Sequence, residues 1–296
     1  MKLSFYDQIS KNKRNSIFLF IFVFFVLFSL IYVISLIFAP ELSLIFLIFA
    51  LIFVSFYTYS TYRYGDKIVL KSVNAKLIDY EDKKYLHLIN VVEGLSIAAG
   101  IPKPKIYVME SNELNAFATG KNPENASICV TTGLLKNLNR DELEGVIGHE
   151  LSHIKNYDIR FATLIAVMVG LVAIISHVFL RSVRFGGFKS RKSNTGLLIL
   201  VGLLLAVISP IIVRLIQLSI SRKREFLADA SSVQLTRYPE GLASALEKIS
   251  KINKGKLKVS EAVSHLFFVD PVKSALDSLY ATHPPIEKRI EVLRNM

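Results

Sequence analysis

Asn139-Arg140-Asp141-Glu142-Leu143-Glu144-Gly145-Val146-Ile147-Gly148-His149-Glu150-Leu151-Ser152-His153-Ile154-Lys155 is the stretch on which the reading of this chain turns. Asn139 is a good N-cap residue, and Glu142 stands three positions later, the pattern of a capping box. A helix is therefore predicted from about Arg140. On that helix His149 and His153 are four residues apart and share a face, so both imidazoles reach one ion. His149-Glu150-Leu151-Ser152-His153 is an H-E-x-x-H motif, and Glu150 between the two histidines is placed to take a proton from an attacking water. Gly145 and Gly148 weaken the helix, but they leave room for a close neighbour beside the ligands.

A catalytic zinc usually has three protein ligands and one open position. A third histidine six residues after His153 is absent, because Ile159 occupies that position. A downstream helical glutamate is the other common solution, and Arg224-Glu225-Phe226-Leu227-Ala228-Asp229 offers one. Asp229 lies one turn beyond Glu225 and is placed to hold a ligand histidine in the correct tautomer.

Outward from the motif, the chain alternates apolar runs with domain-like sequence. Residues 1–16 are basic. Ile17 to Phe38 carries no charge over 22 residues, long enough to cross about 30 Å of hydrocarbon. Leu42 to Tyr59 follows at once, so 17–59 is expected to be a transmembrane hairpin, with Tyr57, Tyr59, Tyr62 and Tyr64 as an interfacial belt. Residues 60–158 read as the first part of a folded domain: a helix over Asp79 to Ala99, and short strands at Lys105 to Glu110, Ala116 to Thr119 and Ser127 to Thr131. Residues 159–213 hold two more apolar runs, Phe161 to Leu180 and Leu197 to Val213, around a basic loop at 181–195. Residues 214–296 complete the domain. The expected fold is α+β, mostly α, with a small sheet and about four transmembrane helices.

The sequence is 52% hydrophobic with net charge +12, and its mean hydropathy is +0.43. No basic stretch is interleaved with aromatics, so the charge is assigned to a lipid bilayer and to membrane flanks rather than to nucleic acid. The single cysteine, Cys129, excludes an intrachain disulfide and reads as a small buried hydrophobe rather than a nucleophile. His87 and His265 lack partners at ligand spacing and are expected to be structural. The basic N-terminus with Arg63, Lys67, Lys71 and Lys76 favours a cytoplasmic domain in a cell membrane. The basic loop 181–195 argues the other way, because two full crossings would place it outside. Distance along the two ligand helices puts the metal just above the membrane surface, eight helical residues (about 12 Å) from His153 to Phe161.

His149-Glu150-Leu151-Ser152-His153, Arg224 to Asp229, Asn115-Ala116-Phe117-Ala118-Thr119-Gly120 and Thr282-His283-Pro284-Pro285, in this order, resemble the HtpX family of membrane zinc peptidases, distantly related to the CAAX prenyl endopeptidases. The resemblance implies a zincin-like metalloprotease domain with one zinc per chain, held by His149, His153 and Glu225, with Glu150 as base. It implies that Asn115 and Ala116 lie on an edge strand that holds substrate backbone, and that His283 donates to the oxyanion of the tetrahedral intermediate. Arg289 is expected to hold either substrate or a structural carboxylate. The implied substrates are membrane proteins or unfolded polypeptides, as in quality control under stress. Two rival readings stand beside it. One is a prenyl-type processing peptidase, which would need more spans. The other is a non-catalytic zinc-holding membrane scaffold, which would need a fourth protein ligand.

Overall fold

The computed structural model describes residues 40–184, 222–255, 259–269 and 284–296, with Leu257 and scattered positions between 14 and 36 and between 200 and 204. His283, most of the basic loop 181–195 and most of the apolar run 197–213 lie outside the described residues. Every described position between 14 and 36 is helical. A 3-10 turn at Pro40–Leu42 leads into helix α1, Ser43–Ser72. Among the described residues α1 is the one helix found long and apolar enough to cross a membrane by length and composition. Only 22% of its apolar window is buried. Its exposed faces carry Leu44, Phe49 and Phe56 at 64–70% exposure, a surface that costs free energy in water and suits hydrocarbon.

Two short strands and a helix lead on from α1: β1 (Lys76–Leu77), α2 (Leu86–Ala99) and β2 (Lys105–Met109). The helix expected from Asp79 begins later, because the Asp82 side chain accepts from the Lys84 N–H and sets a separate 3-10 turn. At its other end Gly100 adopts φ 68°, the left-handed conformation that ends a helix at little steric cost. β3 (Ala116–Gly120) and β4 (Ala126–Thr131) complete a sheet of order β1-β2-β4-β3. β2 runs parallel to β4, and the outer pairs are antiparallel.

After the short α3 (Thr132–Asn137) comes α4 (Arg140–Lys155), the motif helix. Its capping box is formed: the Asn139 side chain accepts from the Glu142 N–H at 3.0 Å, and the Glu142 carboxylate accepts from the Asn139 N–H at 2.8 Å. Leu143, Val146, Ile147, Leu151 and Ile154 are 0–2% exposed and lock α4 into the main core with α2, the sheet and the C-terminal helices. Helices α6 (Arg222–Thr236), α7 (Pro239–Ile252), the short α8 (Glu261–Ser264) and α9 (Ile286–Arg294) follow. The two glycines of α4 serve close approach. A Cβ on Gly145 would stand 2.7 Å from the Leu242 nitrogen of α7, and one on Gly148 would stand 2.7 Å from the Ser232 oxygen of α6.

One expectation needs correction. α4 does not run on towards the membrane. It stops at Asn156, Tyr157 takes φ 60°, and α5 (Asp158–Arg184) starts in a new direction. The path from His153 to Phe161 is therefore not one helix, and a straight helical rise of about 12 Å does not separate them. α5 contains the whole third apolar run and packs against α1 and the N-terminal segment. Leu27, Val54, Phe161, Leu164, Ile165 and Met168 bury together, and the Tyr57 hydroxyl donates to the Val167 carbonyl at 3.1 Å.

Candidate metal centre

α4 presents His149 and His153 towards α6, which brings Glu225 from its first turn. Donor atoms of the three residues all lie within 4.8 Å of one another. The two Nε2 atoms are 3.1 Å apart, and each lies 3.6 Å from a Glu225 oxygen. Both Nδ1 atoms face carboxylates. His149 donates to Asp229 at 2.9 Å and His153 to Asp158 at 3.1 Å. With each Nδ1 facing a carboxylate, each Nε2 is the nitrogen left to face a metal once the ring is neutral. Two imidazole nitrogens and a carboxylate converging on one point can hold a cation. Tetrahedral zinc with ligand bonds of about 2.0–2.1 Å needs donor–donor spacings of roughly 3.3–3.4 Å, close to those found.

The surroundings set the charge. Burial alone would raise the Asp229 carboxyl, but the Arg289 guanidinium beside it and the His149 hydrogen bond hold it below the usual carboxylate range. Burial alone would lower His153. In the metal-free protein the hydrogen bond to Asp158 and the charges of Glu225, Asp158 and Glu150 outweigh burial and push it up to about 9. This pocket is built to hold a positive charge at that point.

Glu150, only 2% exposed, lines the same pocket with Ala118, Ile159, Phe161, Ala162, His265 and Phe267. The arrangement can take a proton from a water beside the three ligands, and the apolar wall keeps bulk solvent from competing.

The other expected site residues fall differently. Arg289 is 1% exposed and grips Asp229 with two bonds, 2.9 and 2.7 Å. It also donates to the Phe268 carbonyl and lies over the Phe268 ring at 4.7 Å. Of its two expected roles, the contacts found are those to a structural carboxylate. Asn115 and Ala116 do sit at the outer edge of the sheet, but their groups are already used by the chain itself. The Asn115 side chain donates to the Val269 carbonyl and accepts from the Val269 N–H. The Ala116 carbonyl accepts from the Phe268 N–H at 2.8 Å. Residues 267–269 thus occupy the edge where those two were expected to meet substrate, and Ala118 is the β3 residue that lines the pocket.

Three residues are here that sequence reading did not assign to the site. Asp158 holds His153, Arg224 holds Asp158 at 3.1 Å, and His265 lines the pocket with its ring anchored to the Ala162 carbonyl at 3.1 Å. His87 and His177 are exposed and stand apart from this pocket. Cys129 is 0% exposed in β4, and burial pushes its thiol far up, away from reactive thiolate.

Comparison with known proteins accords with this geometry. Residues 82–296 match the model of peptidase family M48. The chain is 46% identical over 294 residues to a protease HtpX homolog of Dictyoglomus turgidum, covering 99% of this chain and 95% of the relative. It is 45% identical over 308 residues to a protease HtpX homolog of Caldanaerobacter subterraneus, covering 100% and 99%. Among solved structures, Ste24p of S. mikatae shares the fold with TM-score 0.50 and 20% identity. That match covers 90% of this chain, which spans 62% of the length of that structure. On a family match that takes in the motif helix, the Glu225 helix and the C-terminal helix together, the chain belongs to peptidase family M48.

Proposed function

We propose that the protein is a membrane-bound, zinc-dependent endopeptidase that hydrolyses peptide bonds of misfolded or damaged membrane proteins, with one zinc held by His149, His153 and Glu225. The observation that carries this is the convergence of two imidazole Nε2 atoms and a buried carboxylate beside Glu150. Zinc bound there would polarise a scissile carbonyl and acidify the attacking water. Glu150 accepts that water's proton and returns it to the leaving amine. His283 is assigned the oxyanion contact, and Ala118 presents β3 backbone to the substrate chain. The apolar faces of α1 bring the site to a bilayer, where membrane-protein segments are within reach.

The test uses protein purified in detergent and stripped by chelator, with an unfolded membrane protein as substrate. Cleavage restored by stoichiometric zinc supports the reading. Zinc binding without cleavage of unfolded or prenylated substrates would favour the scaffold, and cleavage confined to prenylated peptides would favour the processing peptidase. The domain is assigned to the cytoplasmic side of the cell membrane. A cysteine at the exposed position Lys254, with Cys129 replaced by serine, is then shielded from an impermeant thiol reagent in intact cells. Labelling from outside reverses the assignment.

A further inference from the structure

Asp158 has no counterpart in the motif, yet it occupies for His153 the place that Asp229 occupies for His149. Its Oδ2 accepts from His153 Nδ1 at 3.1 Å, while its Oδ1 accepts from Arg224 at 3.1 Å. The Arg224 guanidinium also lies over the Phe161 ring at 5.4 Å, which fixes its plane. Asp158 is the first residue of α5, Arg224 stands in the first turn of α6, and Glu225 is the next residue. The chain between them, 159–223, contains the second pair of apolar runs. The two points where that segment joins the domain are therefore tied together directly behind a metal ligand.

We propose that Asp158 is a positioning residue for His153, fixing its tautomer and ring plane, and that Arg224 in turn fixes Asp158. The orientation of the His153 ligand then depends on how the starts of α5 and α6 sit against each other. This inference rests on the zinc reading above. A helix-start aspartate has an alternative, purely structural role through the helix dipole, so the test must separate the two.

Zinc affinity of the full chain in detergent is measured by competition with a chromogenic chelator, alongside Tm in excess chelator. Asp158→Ala is expected to weaken zinc binding by about 10–100-fold, the range for loss of a ligand's hydrogen-bonding partner, beyond any change in metal-free Tm. Arg224→Gln is expected to weaken it less, with Arg224→Lys closer to the parent. If Asp158→Ala fails to fold, Asp158→Asn keeps an acceptor for Nδ1 but loses the charge that holds Arg224, and an intermediate loss of affinity is expected. Parental zinc affinity in the folded aspartate variant overturns the proposal, as does a fall in metal-free Tm with affinity unchanged. A parent chain that itself binds no zinc would instead sink the zinc reading.

Discussion

His149 and His153 are backed by the same residue types, an aspartate and then an arginine, but at different depths. Behind His149, Asp229 and Arg289 are each 1% exposed, and the pair is bidentate. Behind His153, the side chains of Asp158 and Arg224 are 12% and 18% exposed and meet at 3.1 Å. The inner relay joins α6 to the C-terminal helix α9, and Arg289 packs on Phe268, which also meets the His149 ring edge-on at 4.8 Å. It is part of the core. The outer relay joins the starts of α5 and α6 at the edge of the pocket. One relay therefore lies within the core, while the other lies nearer solvent, where the starts of α5 and α6 meet.

Removing one partner of each relay should expose that difference. Arg289→Ala leaves the Asp229 carboxylate buried without its cation, and is expected to destabilise the metal-free domain by about 3–5 kcal/mol. Arg224→Ala leaves Asp158 with access to water, and is expected to shift the same denaturation midpoint much less. Equal losses in a urea titration of metal-free protein would erase the distinction between the relays.

A smaller effect concerns pH. His153 in the metal-free protein is raised from 6.5 to about 9, so its protonated form contributes stability that is complete below about 6.5 and is lost as pH rises through about 9. Metal-free protein should become easier to denature across that window, while zinc, which needs the neutral ring, should bind more tightly. A metal-free stability that is flat from pH 6.5 to 9 would contradict the charge balance assigned to the outer relay.

Cys129, in β4 and away from both relays, supplies the null control. Replacement by alanine should leave peptidase activity unchanged, and a thiol-blocking reagent should have no effect on the folded enzyme. Inhibition by the reagent would mean that β4 opens in the native state.

The residues that converge at the candidate metal centre lie at helical spacing: His149 and His153 by their separation on one helix, Glu225 and Asp229 by theirs on another. The capping box at Asn139 and Glu142 and the three longer strands are likewise local signals, and the structure places them within a residue or two of expectation. Asp158 could not be read in the same way. It reaches His153 across a helix break at Tyr157, φ 60°, a turn with no glycine to announce it. Arg224 and Asp158 are 66 positions apart, and the Asn115–Val269 bonds span 154. Such pairs are set by tertiary packing, and no period in the sequence marks them. β1 was missed because two residues are too few to show alternation.

In the proposed site Glu150 moves the proton while His149, His153 and Glu225 hold the metal. Glu150→Gln changes only the proton acceptor, so elemental analysis of that variant together with a cleavage assay is the most direct measurement. One zinc per chain is expected, as in the parent, with cleavage reduced by at least about 100-fold, the lower range for loss of general base catalysis. Full zinc content with undiminished cleavage would contradict it.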